Sequence, residues 1–153
     1  GIRLLGKQLV QTNTPIHLLL THNHWDHIQG FPFFAPIYMP DRLISVTPGL
    51  TDKDQPDAFL QQMTGSFFPV PKEAIAANIK ITPQAKNSWT IGNATITRLT
   101  MNHPGGGSCY TISDGVSKVA YVTDNELYPP YKKNTDCHTV RHHTIYLYKL
   151  WLS

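Results

Sequence analysis

Four side chains able to ligate a metal fall within six residues, His22-Asn-His24-Trp-Asp26-His27, and they constrain the fold more than any other feature. The segment before them, Ile16-His-Leu-Leu-Leu-Thr21, is a short apolar run of the length expected for a buried strand. His22 and His24 therefore sit at or just past the carboxyl end of that strand. Residues two apart in extended backbone point the same way, so both imidazoles can reach one ion. Asp26 and His27 follow where the chain turns into an expected helix, and can face a second ion beside the first. Imidazole nitrogen and carboxylate oxygen suit zinc or a similar divalent cation. Buried without such a partner, these polar groups would cost considerable free energy. A lone histidine is more often a surface or satisfied core residue than a ligand; three with an aspartate, directly after an apolar strand, are not read that way.

Two later segments have the same form. Ala94-Thr-Ile-Thr-Arg-Leu-Thr-Met101 is rich in β-branched residues and runs into Asn102-His103-Pro104-Gly-Gly-Gly107. Lys118-Val-Ala-Tyr-Val-Thr123 is a further strand candidate that ends at Asp124. Three strands thus deliver His22 and His24, His103, and Asp124 at their carboxyl ends, the edge where open α/β sheets bind ligands. Taken alone, His103 reads equally as a loop residue before a Pro-Gly turn, and Asp124-Asn125 as a turn former or helix N-cap. A site opened by His22 to His27 needs partners from elsewhere, and that need favours both as ligands.

On these residues the chain resembles the metallo-β-lactamase-fold hydrolases, an α+β or α/β fold built as an αββα sandwich. Trp25 within the motif, the complete Asp26-His27 pair, and the His103-Pro-Gly-Gly-Gly-Ser-Cys-Tyr110 and Tyr121-Val-Thr-Asp124-Asn-Glu126 segments are closer to the phosphodiesterase and ribonuclease Z-like branch. The resemblance implies that His22, His24 and His103 hold one metal, that Asp26 and His27 hold a second, and that Asp124 bridges them. It implies two divalent ions, zinc first, with manganese or iron as alternatives. The activity implied is phosphodiester hydrolysis by a metal-bound hydroxide, with Asp26 orienting the nucleophilic water. The substrate implied is a small-molecule or nucleotide phosphodiester. A thioester or lactam hydrolase, or a truncated and inactive metal-binding domain, are the competing expectations.

The resemblance extends over 1–136, expected to form a partial domain of that fold. Only Gly1 to Pro15 precede the motif where the family has several strands, and Ile2 to Val10 reads as an amphipathic helix. The chain therefore reads as an internal fragment. Residues 137–153 form an atypical tail, in which His138, His142 and His143 precede an apolar, aromatic end with no turn or cap. A frameshift or assembly error would produce that pattern, as would a variant C-terminus; the former is expected. The family's C-terminal ligand histidine has no counterpart at a matching spacing, which bears on the second metal.

The chain's 153 residues suffice for a real core, and 41% hydrophobic residues fit a folded globular protein. A formal charge of +3 from scattered basic residues admits an anionic substrate but carries no nucleic-acid signature. Lys132-Lys133 reads as a solvated turn. Cys109 and Cys137 are too few and too far apart for a disulfide framework; Cys109, beside the Gly-rich loop, could approach the metal, though a small buried hydrophobe is the commoner role. No apolar run approaches the ~20 residues needed to span a membrane, and the expected location is cytoplasmic. Between the motif and His103, a helix from Trp25 should end near Phe31. Leu43-Ile-Ser-Val46 is the next parallel strand expected, Asp57 to Met63 a short helix, and Phe67 to Pro71 a loop. The aromatics of this stretch are expected mainly in the core, with lining of a pocket mouth as the alternative.

Overall fold

The computed structural model describes residues 1–49 and 55–126. Lys132-Lys133, the Cys137 segment and the tail histidines His138, His142 and His143 lie outside those residues. The described residues divide into two compact units, one formed by 1–48 and 55–83, the other by 49 and 84–126.

In the first unit, helix α1 (Ile2–Leu9) leads to strand β1 (Ile16–Leu19), short helix α2 (Trp25–Ile28), strand β2 (Leu43–Thr47) and strand β3 (Asn78–Ile81). The strands form a parallel sheet in the order β1-β2-β3. Its register stacks Ile16, Ile44 and Ile79, then Leu18, Val46 and Ile81. These side chains share one face because strand side chains alternate. Ile44 and Val46, on the central strand, are fully buried. The opposite face carries His17, Ser45 and Lys80, of which His17 and Lys80 are exposed. The apolar face is covered by Leu9, Ile28, Phe31, Phe34, Ile37, Phe59 and Met63.

Much of that cover comes from 3₁₀ turns at Phe31–Phe33, Ala35–Tyr38 and Ala58–Gln62. Prolines at 32 and 36 remove backbone donors and hold φ near −65°, so the chain after α2 proceeds in single turns rather than a long helix. The helix from Trp25 ends at Ile28, three residues short of the expected boundary. The expected helix over 57–63 is a 3₁₀ segment. Helix α1 packs closely on the turns through Gly6, where a Cβ would come within 2.9 Å of the Phe34 ring and 3.1 Å of the Ala35 nitrogen.

Arg42, only 1% exposed, ties α1 to the sheet. Its guanidinium donates to the carbonyl of Leu9 at 2.8 Å and to that of Thr12. It thus supplies positive charge at the C-terminal end of α1, where the helix dipole is negative.

The second unit is an antiparallel sheet in the order β4-β5-β6-β7: Ser88–Ile91, Ala94–Thr100, Ser108–Ser113 and Lys118–Tyr121. The strands leading to His103 and Asp124 are therefore antiparallel neighbours of β6 and lie outside the sheet that holds β1. They belong to a meander, with Gly92-Asn93 joining β4 to β5 and Asp114-Gly-Val-Ser117 joining β6 to β7. At the latter turn the Asp114 carboxylate accepts from the amides of Val116 and Ser117, at 2.9 and 2.7 Å, which holds its pKa below the ordinary carboxylate value. Ile96, Arg98, Cys109 and Tyr110 are buried. Arg98 lies 5.9 Å from the centre of the Trp89 ring and donates to Gln84 O at 2.9 Å. Among the described residues no helix is long and apolar enough to cross a membrane.

Candidate metal centre

The ligand-rich motif occupies the exit from β1. The strand ladder ends at Leu19, and the Leu20 amide still donates to Thr47 O at 3.0 Å, so the chain reaches Thr21 in a fixed direction. His22 is buried and the His24 side chain is exposed. The His24 backbone, extended at φ −60° and ψ 142°, is the N-cap of α2. That helix begins immediately, so Asp26 and His27 lie on its first turn, close to the histidines before it. The His22 ring stands edge-on to His24, centroids 4.6 Å apart, and is tilted against His27 at 4.3 Å. Asp26 Oδ2 lies 3.3 Å from His27 Nε2. Three imidazoles and a carboxylate are therefore gathered at the carboxyl edge of β1 by a strand end and one helical turn.

Thr21, which the sequence reading passed over, lies inside this cluster. Its hydroxyl is 3.1 Å from His22 Nδ1. If Nδ1 carries the hydrogen and donates to that oxygen, the ring's lone pair is on Nε2, the tautomer a ligand requires. The available signal was its position: a hydroxyl residue directly before a ligand-type histidine at a strand end.

In the second unit, β5 and β7 both run antiparallel to β6 and hence in the same direction as each other. Thr100 pairs with Ser108, and Tyr121 with Tyr110, so both strands end beside the start of β6. His103 and Asp124 consequently emerge at one edge of this sheet. The two exits are stitched together by hydrogen bonds. The Asn102 amide donates to Asn125 Oδ1 at 2.9 Å, Asn102 Nδ2 to Glu126 O at 2.8 Å, and the Glu126 amide to Asn102 O at 2.8 Å. Asn102 and Asn125 thus fix the separation of the segments carrying His103 and Asp124, a role the sequence reading did not assign.

Backbone conformation marks both exits. Asp124 has φ +47°, a left-handed conformation that aspartate tolerates better than most residues and that nonetheless stores strain. Gly105 and Gly106 have φ near +80°, and the Gly106 amide donates to His103 O at 2.9 Å. The triglycine thus closes a tight turn back onto His103.

Three imidazoles and a carboxylate gathered at a strand exit are a donor set of the kind that suits a divalent cation. The model of the metallo-β-lactamase superfamily matches residues 2–152, and the chain belongs to that superfamily. Its mixed α/β architecture is that of the metallo-β-lactamase fold. Among solved structures, the chain is similar to the metallo-β-lactamase fold protein YhfI from Bacillus subtilis, with a TM-score of 0.50 and 24% identity. That similarity covers 74% of this chain and 42% of YhfI, so the chain spans less than half the length of that structure. No curated protein matches. Divalent metals are the typical ligands of the superfamily, and the donor set at His22, His24, Asp26 and His27 suits them: neutral imidazoles and a carboxylate on one short segment.

Proposed function

We propose that this chain is the metal-binding part of a metal-dependent hydrolase acting on phosphodiesters. The observation that carries the reading is the packing of His24 and His27 against the buried His22 at 4.6 and 4.3 Å, with Asp26 alongside. Three imidazoles held this closely repel one another when protonated, and divalent cations bound among them are the partners that make their convergence favourable.

In this reading His22, His24 and His103 would hold one ion, Asp26 and His27 a second, and Asp124 would serve both. Two divalent ions, zinc foremost, would lower the pKa of water and offset the charge that develops on phosphate oxygens. The protein's own groups supply the rest. Asp26 has a side chain 72% exposed, so its carboxylate can reach both a ligand position and solvent, and can orient an attacking water. The Thr21 hydroxyl holds the His22 ring in the ligating tautomer. The Asn102–Asn125–Glu126 bonds keep His103 and Asp124 in step, so that neither has to be ordered when substrate arrives. A mild net charge of +3 is compatible with an anionic, small-molecule or nucleotide substrate.

The test is turnover of bis(4-nitrophenyl) phosphate by the purified, metal-supplied chain beside its His22→Ala and Asp124→Ala variants. Both variants should lose metal-dependent activity. Undiminished turnover in either would sink the assignment, and cleavage of a thioester in place of the phosphodiester would redirect it to another hydrolase of the same fold.

A further inference from the structure

The surface beside the ligand motif carries a concavity that the assigned residues do not use. Trp25 lies between two candidate ligands, His24 and Asp26, and its side chain is 66% exposed. Phe67, on the loop that follows Met63, is 80% exposed. Exposed aromatics scattered singly need no explanation. These two line one recess of about 440 Å³ with Gln61 and Gln62, a size within the range of small-molecule pockets.

Two of these four side chains are amides, yet the lining is almost wholly apolar. Gln62 shows how. Its Nε2 donates to Ile28 O at 3.0 Å and to Phe59 O at 2.8 Å, so the polar end is spent on the wall. Rings and methylene stems are what remain to face a ligand. The wall is also built before any ligand arrives. Amides of Phe67 and Phe68 donate to Thr64 O, both at 2.9 Å, and that of Lys72 to Met63 O at 3.1 Å. Phe68 packs edge-on to Phe33 at 5.3 Å. Such a recess offers neither a hydrogen bond nor a countercharge. A base, a sugar or a peptide amide seated there gives up its bonds to water without replacement, whereas a hydrocarbon gives up nothing and leaves water favourably.

Position ties that hydrocarbon to the substrate. Trp25 is the first residue of α2, next in the chain to His24 and Asp26, and Gln62 fastens the recess to Ile28 at the end of the same helix. One helical turn thus carries both the candidate ligands and a wall of the recess. A molecule whose reacting group lies at the ligands can extend its apolar part along Trp25. We propose that this recess seats a hydrocarbon substituent of the substrate, an alkyl chain in its simplest form, and so selects alkyl-bearing phosphodiesters over polar ones. The proposal deepens the phosphodiesterase reading and rests on it for the reacting group; the recess adds the chemistry of the group carried.

The experiment compares the methyl, hexyl and 2-propoxyethyl esters of 4-nitrophenyl phosphate, which release the same product. In the metal-supplied wild type, kcat/KM should rise about thirtyfold from methyl to hexyl. That is roughly twofold per added methylene, half the free energy of complete burial, because the two rings leave one side of the chain in water. The 2-propoxyethyl ester has the length of hexyl with an ether oxygen and should fall well below it. Phe67→Ala should erase most of the hexyl gain without changing turnover of the methyl ester, and Phe67→Leu should keep it; Phe67 is so exposed that neither change threatens folding. A flat series, a 2-propoxyethyl ester equal to hexyl, or a gain indifferent to Phe67→Ala overturns the recess while leaving hydrolysis intact. If no ester is cleaved, the hydrolase reading fails and titration of isotope-labelled protein with hexanol decides the recess by itself. A saturable shift of the Trp25 indole N–H signal, identified by its loss in Trp25→Phe and reduced in Phe67→Ala, supports it. Absence of that shift overturns it.

Discussion

Replacing Arg42 by Met tests whether a single buried guanidinium holds the N-terminal helix to the parallel sheet. Methionine keeps the apolar stem and removes the charge and its donors. Three hydrogen bonds from a cation are lost: to Leu9 O at 2.8 Å, to Thr12 O, and a long one of 3.5 Å to Asn13 Oδ1, which is exposed and can turn to water. Bonds of this kind contribute about 1.5–3 kcal/mol each. Two terms reduce the total. Leu9 O keeps the Thr12 amide at 3.2 Å and the Thr12 hydroxyl at 3.3 Å, so only the Thr12 carbonyl is stranded. The guanidinium, 1% exposed, also no longer has to be desolvated, and its Nε, which has no partner among the described residues, ceases to be a cost. The net expected loss is about 2–3 kcal/mol, from one to two charged hydrogen bonds less that relief. Arg42→Lys, able to reach one carbonyl, should fall between. Urea unfolding followed by far-ultraviolet circular dichroism measures both. An Arg42→Met chain within about 0.5 kcal/mol of wild type, the usual range of surface changes, would refute the reasoning.

Other expectations follow from the same geometry. Thr21→Val removes the hydroxyl 3.1 Å from His22 Nδ1, and should weaken zinc binding by about tenfold or more in competition with a chromophoric chelator. Tyr110 is pushed up to about 12, first by desolvation, with its bond to Ser108 and the Arg98 charge pulling the other way. A phenol whose folded pKa lies above its unfolded value of about 10 contributes stability that is complete below pH 10 and is lost as pH rises towards 12. Wild type should therefore lose about 2 kcal/mol more than Tyr110→Phe between pH 9 and 11.5 in chemical denaturation.

Legibility from sequence tracked the strength of local pattern. The apolar run at Ile16 and the change of spacing from His22-x-His24 to Asp26-His27 describe a strand end followed by a helical turn, and β1 and α2 are there. Helix α1 and strand β2 were legible for the same reason. Strand β3, Asn78–Ile81, was not: four residues with one half-buried face gain their ladder from β2, not from their own propensity. Strands β4 and β6 escaped similarly, so the order and direction of the strands in the sheet that carries His103 and Asp124 were not legible. Direction is a property of pairing, and no residue in β5 or β7 encodes it alone. Aromatic placement divided as well. Phe31, Phe34 and Phe59 are buried as expected, whereas Trp25, Phe33 and Phe67 face outward. Periodicity cannot separate these fates in a stretch punctuated by Pro32 and Pro36, because each 3₁₀ turn resets the facing of the next residue. Asn102 acts through Asn125 and Glu126, distant in sequence though near in space, so only the fold reveals that pairing, whereas Thr21 adjoins its partner His22 and its position alone was the signal.

The central claim is that this chain gathers its histidines and aspartates around metal. Elemental analysis of the folded protein, purified with zinc and manganese supplied and then dialysed, measures it directly. The account predicts two divalent ions per chain, with a marked loss in His22→Ala. A demonstrably folded chain that retains no metal would contradict it.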